Sequence, residues 1–112
     1  MDKELVVYGR TAFCPDQARA VRFLDSNNVP YRLIKIDEEP EAGERVERWV
    51  GHRSVPTLVV ARKGDVMPIE TPGALPEGRS VRSVDRGTLI TEPSEEALGR
   101  FLERHGLIGA TA

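Results

Sequence analysis

Leu5-Val6-Val7-Tyr8-Gly9-Arg10-Thr11-Ala12-Phe13-Cys14-Pro15-Asp16-Gln17 runs from an apolar strand through a short turn into the start of a helix. The four consecutive apolar or aromatic residues Leu5 to Tyr8 suit a strand buried on both faces. Pro15 suits the first helical position, where no backbone donor is needed. Cys14, the single cysteine of the chain, therefore stands where a strand hands over to a helix, with Arg10 near it in sequence. A helix start and a neighbouring cation both favour the thiolate, which is the nucleophilic form. The alternative is a small buried hydrophobe, a common fate of free cysteines.

The periodicity on either side extends this into an alternating pattern. Residues 15–27 predict a helix, with Ala18, Val21 and Leu24 on one face, Ala20 and Phe23 widening it, and Arg19, Arg22 and Asp25 on the wet side. Asn27, Asn28 and Pro30 end it. Tyr31 to Asp37 reads as a second strand. Pro40 opens a second helix with Ala42, Val46, Trp49 and Val50 on one face, and Gly51 closes it. Thr57 to Ala61 reads as a third strand and Gly87 to Thr91 as a fourth. Ser94 caps a last helix whose buried stripe is Ala97, Leu98, Phe101 and Leu102. The order is β-α-β-α-β-β-α, with a parallel right-handed first unit and an antiparallel last pair. That gives an α/β fold, a four-stranded mixed sheet with helices on both faces.

Length sets one domain over residues 1–112. Residues 62–86 stand out as an inserted loop or hairpin, rich in Pro and Gly. Alternation in Val66–Glu70 and Ser80–Val84 suggests the hairpin. It could be a substrate-contacting flap, a dimer contact or, as the simplest reading, a tolerated surface insertion. The net charge of −2 with mixed signs argues against nucleic acid or an anionic membrane as partner. No apolar run reaches membrane-spanning length, and no signal-peptide pattern opens the sequence. A lone cysteine cannot form an internal bridge, so a reducing cytoplasmic location is expected. His52 and His105 do not form a metal site with one distant cysteine.

Three segments on this topology together resemble the glutaredoxin family of the thioredoxin-like superfamily. They are Tyr8–Gln17, with Cys14-Pro15-Asp16 in the place of a Cys-Pro-x-Cys start; Arg53-Ser54-Val55-Pro56-Thr57, similar to the family's Thr-Val-Pro segment; and Gly87–Ser94, similar to its fourth strand and last-helix start. The resemblance implies a thiol–disulfide oxidoreductase in which Cys14 is catalytic. It also implies a substrate- and thiol-binding set of Arg10, Thr11, Phe13, Pro15, Gln17, Arg53, Val55, Pro56 and Ser94, with Pro56 in the cis form and the Val55 backbone beside the sulfur. Arg10 and Arg53 are equally readable as substrate-carboxylate partners or as solvated surface charges.

The sequence also departs from the family pattern. Gln17 replaces the resolving cysteine; its amide could donate to the sulfur but cannot resolve a mixed disulfide. Thr11 replaces a frequent lysine, and Glu92-Pro93-Ser94 replaces a glycine pair that cradles the glutathione glutamyl carboxylate in many relatives. The expectation is a monothiol cycle on mixed disulfides of proteins or small molecules. No bound cofactor is expected, and glutathione or another low-molecular-weight thiol such as mycothiol or bacillithiol is the cosubstrate. Two other readings are a redox-inactive binding module and, less favoured because Cys-Gly-Phe-Ser is absent, an iron–sulfur cluster carrier.

Overall fold

The computed structural model describes residues 2–75, 78 and 80–108. Strand β1 (Lys3–Gly9) leads through Cys14 into helix α1 (Pro15–Ser26), followed by β2 (Tyr31–Lys35), α2 (Pro40–Val50), β3 (Thr57–Arg62), β4 (Leu89–Thr91) and α3 (Glu95–Arg104). The sheet order is β2-β1-β3-β4. β1 pairs parallel with β2, Val7 opposite Leu33, and antiparallel with β3, Val7 opposite Leu58. β3 and β4 are antiparallel. This is the expected order and the expected mixed sheet.

Alternation along the strands makes two cores. Leu5, Val7, Leu58 and Ile90 face α1 and α3, where Leu24, Leu98 and Phe101 meet them. Val6, Tyr8, Ile34, Val59 and Leu89 face α2, with Val46 and Trp49. Each fully buried side chain of this size contributes roughly 1.5–3 kcal/mol relative to exposure. The buried pair on α1 is Ala20 and Leu24, so the stripe is turned from the expected line through Ala18 and Val21, which are half-exposed. Gly99 of α3 lets Phe23 come close, its ring 3.5 Å from where a Cβ would stand.

Helix ends follow local chemistry. Gly51 takes φ 95° after α2, a left-handed conformation that glycine adopts without a side-chain penalty. Ser94 caps α3, its hydroxyl accepting from the Ala97 N–H at 3.1 Å.

Of the two readings of 62–86, loop or hairpin, the described residues show no strand pairing between Val66–Glu70 and Ser80–Val84. The donors of the first stretch are used elsewhere: Val66 and Met67 donate to Asp65 Oδ1, Ile69 to the Val60 carbonyl and Glu70 to Thr88 Oγ1. Pro68 has no N–H to offer a ladder. Farther on, Arg82 makes an isolated parallel bridge with Thr91, and Ser83 donates to the Thr91 carbonyl at 2.9 Å. Val66 and Val81 pack against the α2-side core and Ile69 against the other, so this connection helps to cover the sheet.

Candidate active site

Cys14 is the residue immediately before α1, in extended conformation, and its carbonyl accepts the Ala18 N–H at 2.9 Å. Its side chain makes no capping bond. The half-buried sulfur lies 3.8 Å from the Val55 carbonyl oxygen. Pro15 is the first helical residue, and its missing N–H is one the helix does not need. The Val55–Pro56 peptide is cis. Its loop is fixed from both sides: Thr57 Oγ1 donates to the Ser54 carbonyl at 2.9 Å, and the Glu92 N–H donates to the Pro56 carbonyl at 2.8 Å. Buried Thr57 and Thr91 share a hydroxyl contact at 3.0 Å.

The turn before the sulfur is held by side chains. Gln17 does not reach toward the sulfur with its amide. Its Oε1 accepts the Arg10 N–H at 2.8 Å and its Nε2 donates to the Arg10 carbonyl at 3.2 Å. A backbone group seven residues back outcompetes the thiol as partner because it offers both a donor and an acceptor. Gly9 leaves room for this clasp, since a Cβ there would stand 2.6 Å from Gln17 Oε1. Arg10 donates to the Phe13 carbonyl at 3.1 Å. Thr11 gives its N–H to Asp37 Oδ2 at 2.9 Å and its hydroxyl to Glu38 Oε2 at 2.6 Å. Desolvation raises the exposed Asp37 carboxyl, but the hydrogen bonds it accepts, those from Thr11 foremost, outweigh this and hold it below its usual range.

Phe13 is 77% exposed beside the sulfur. Together with Arg10, Thr11, Cys14, Gln17 and Leu33 it lines an open hollow of about 250 Å³. Two larger hollows, of about 540 and 430 Å³, have no lining residue in common with the Cys14 turn.

The structure thus gathers Arg10, Thr11, Phe13, Cys14, Pro15, Gln17, Val55 and Pro56 in one neighbourhood. Arg53 turns to α2 instead, lying across Gly43, with Nε donating to Glu47 Oε2 at 3.3 Å. Ser94 is spent on the α3 cap. Sequence reasoning missed Arg82, which grips both oxygens of Asp16 at 3.1 Å and lies 3.3 Å from Glu92 Oε1. The hydrogen bond from Arg82 is the main cause that keeps Asp16 below the ordinary carboxylate range. The available signal was Asp16 itself, an acidic residue beside a thiol that calls for a neutralising cation. Among the described residues, no group of three or more His, Cys, Asp or Glu side chains is arranged to hold a metal, and no helix is long and apolar enough to cross a membrane.

No curated protein matches the chain. Among solved structures it is similar to glutaredoxin C1 from Populus tremula x tremuloides in its holo form, at 23% identity and TM-score 0.41, covering 48% of this chain and 55% of that one. It is also similar to a buckwheat glutaredoxin in complex with glutathione, at 27% identity and TM-score 0.43, covering 50% of this chain and 53% of that one. The chain spans about half the length of both structures. The glutaredoxin family model matches residues 5–64, more than half of the 112 residues. The sheet and helices have the thioredoxin-like arrangement, and the chain belongs to the glutaredoxin family.

Proposed function

We propose that the protein is a monothiol thiol–disulfide oxidoreductase acting on mixed disulfides between proteins and a low-molecular-weight thiol. The observation that carries this reading is the placement of Cys14: a half-exposed sulfur at the start of α1, free of capping duty and 3.8 Å from the Val55 carbonyl. The attacking species is the thiolate. It attacks the small-thiol sulfur of the mixed disulfide, the protein leaves as a thiolate, and the small thiol stays on Cys14. A second small thiolate then attacks that sulfur, releasing the symmetric small disulfide and regenerating the Cys14 thiolate. Each turnover consumes one free small thiol, which ends in the symmetric disulfide with the small thiol taken from the substrate; it must come from solution, since the chain has no second cysteine.

Arg10, Thr11, Phe13 and Gln17 shape the hollow beside the sulfur, and the exposed Phe13 ring offers apolar contact to a substrate. The Val55 backbone beside Cys14 offers main-chain hydrogen bonding to an extended peptide.

The test is mass spectrometry of the protein incubated with peptide mixed disulfides of glutathione, mycothiol and bacillithiol. One of them should transfer its thiol to Cys14 and be released by the matching free thiol, and Cys14→Ser should abolish both steps. Turnover that persists in Cys14→Ser ends the proposal. A wild-type Cys14 that takes up none of the three thiols ends it too, in favour of a redox-inactive binding module.

A further inference from the structure

Two residues of the long connection between β3 and β4 tie the start of α1 to the junction of β4 and α3. Arg82 bridges Asp16 and Glu92, at 3.1 and 3.3 Å, while Arg19 holds Asp16 from the other side. Ser83 accepts a hydrogen bond from the Ser94 N–H at 2.9 Å and donates its own N–H to the Thr91 carbonyl at 2.9 Å. Ser83 and Glu92 both hold positive φ, 62° and 44°, which non-glycine residues adopt only where surroundings compel it. The Arg82 guanidinium is held above its ordinary range by Asp16 first, then Glu92, with the negative form of Cys14 adding to them. Arg82 is thereby tied, through Asp16, to the first turn of α1, which directly follows Cys14.

These contacts determine what can bind there. Backbone donors at a helix start are natural receivers of a carboxylate. At the start of α3 the Ser94 N–H is already satisfied by Ser83, and the first turn carries Glu95 and Glu96. On the other flank of Cys14, the Thr11 N–H is satisfied by Asp37, and Glu38 takes the Thr11 hydroxyl. Arg82 is matched by two carboxylates and Arg53 by Glu47. Arg10, whose guanidinium donates to the Phe13 carbonyl, has no carboxylate partner among the described residues. Around the Cys14 turn, Arg10 is left without a carboxylate, whereas Arg82, Arg53 and the Thr11 N–H are already matched by acids of the chain's own.

We infer that the Arg82–Ser83 segment is a specificity determinant: it fills the anion-receiving side of the Cys14 site, so that the small thiol exchanged there is one without negative charge. This inference rests on the redox reading above. It assigns the connection a role in selecting the cosubstrate as well as in covering the sheet.

Three small symmetric disulfides test it: cystamine (cationic), hydroxyethyl disulfide (neutral) and dithiodipropionate (anionic). Adduct formation on Cys14 is timed by mass spectrometry, and each rate is divided by that of N-acetylcysteinamide with the same probe, which removes differences in leaving group. The normalised rate for the anionic probe should fall about tenfold or more below the neutral one, the size expected when like charges meet near a desolvated site. Ser83→Gly frees the Ser94 N–H while keeping the backbone angle accessible, and Glu92→Gln removes a charge. Both should raise the anionic-to-neutral ratio. Arg82→Ala uncovers Asp16 and Glu92 and should lower it. A wild-type ratio near or above one overturns the inference, as does a ratio that neither Ser83→Gly nor Glu92→Gln moves. Silence toward all three probes would instead remove the redox reading, and this inference with it.

Discussion

The two faces of the sheet are covered by different means. On one face α1 and α3 lie side by side and bury Leu24, Leu98 and Phe101 against β1, β3 and β4. On the other, α2 is the only helix among the described residues, and the connection after β3 completes the cover with Val66 and Val81. Directional bonds reinforce this second face. The Tyr8 hydroxyl donates to the Val66 carbonyl and accepts from Arg45 Nε at 3.1 Å. Arg86 reaches the carbonyls of Trp49 and Gly73. The Tyr8 and Trp49 rings meet edge to face at 5.4 Å. The first face is held by dispersion and hydrophobic burial, whereas the second needs polar contacts to hold a loop in place. An element that looks dispensable in the sequence is part of one wall.

This contrast can be broken by measurement. Phe101→Ala, in the middle of the two-helix face, should cost about 4 kcal/mol in denaturant unfolding, and Trp49→Ala, at the rim of the loop-covered face, about 3 kcal/mol. A larger loss at Trp49 would mean that the second face is the better packed of the two. Tyr8→Phe removes the donor to Val66 and should cost roughly 1 kcal/mol. It should also speed hydrogen exchange in the 66–70 stretch before it affects α3. Equal protection in both regions would separate the loop from Tyr8.

The smallest effect concerns His105 at the end of α3, whose Nε2–H donates to the Gly87 carbonyl at 2.7 Å. Burial, partly offset by that bond, pulls its pKa below the ordinary 6.5. The unfolded chain therefore takes up the proton first. Stability should be fully present above about pH 6.5, decline as pH falls through the lower folded value, and level off below it. His105→Gln should flatten this window in pH-dependent urea melts. A slope unchanged by the substitution would assign it to another group.

Much of the frame was legible because its signals are local. Leu5–Tyr8 could only be a strand hidden on both sides, and Pro15, Pro40 and Gly51 mark helix ends by their own backbone chemistry. The strand-to-helix position of Cys14 and the neighbourhood of Val55-Pro56 follow from the same frame. The contacts that finish the site do not, because they join residues far apart in sequence that obey no periodicity. Nothing in Ser80–Val84 announces that Arg82 will meet Asp16, 66 residues away. Gln17 shows the converse problem. Helical spacing puts it on the same side as the sulfur, yet a side-chain amide follows its best hydrogen bonds, and those were on the Arg10 backbone. The choice between loop and hairpin for 62–86 was open for a similar reason: an alternating pattern makes strands only if the backbone donors stay free to pair.

The brevity of β4 has a consequence for crowded solutions. Three residues leave little unpaired backbone on that margin, and Arg82 and Ile69 take up ladder positions around it. At the opposite margin β2 begins just after Pro30 and carries Arg32 and Lys35 outward. Margins that are brief, charged or bracketed by proline make poor templates for another molecule's strand. Concentrating this protein should therefore not drive sheet-to-sheet polymerisation.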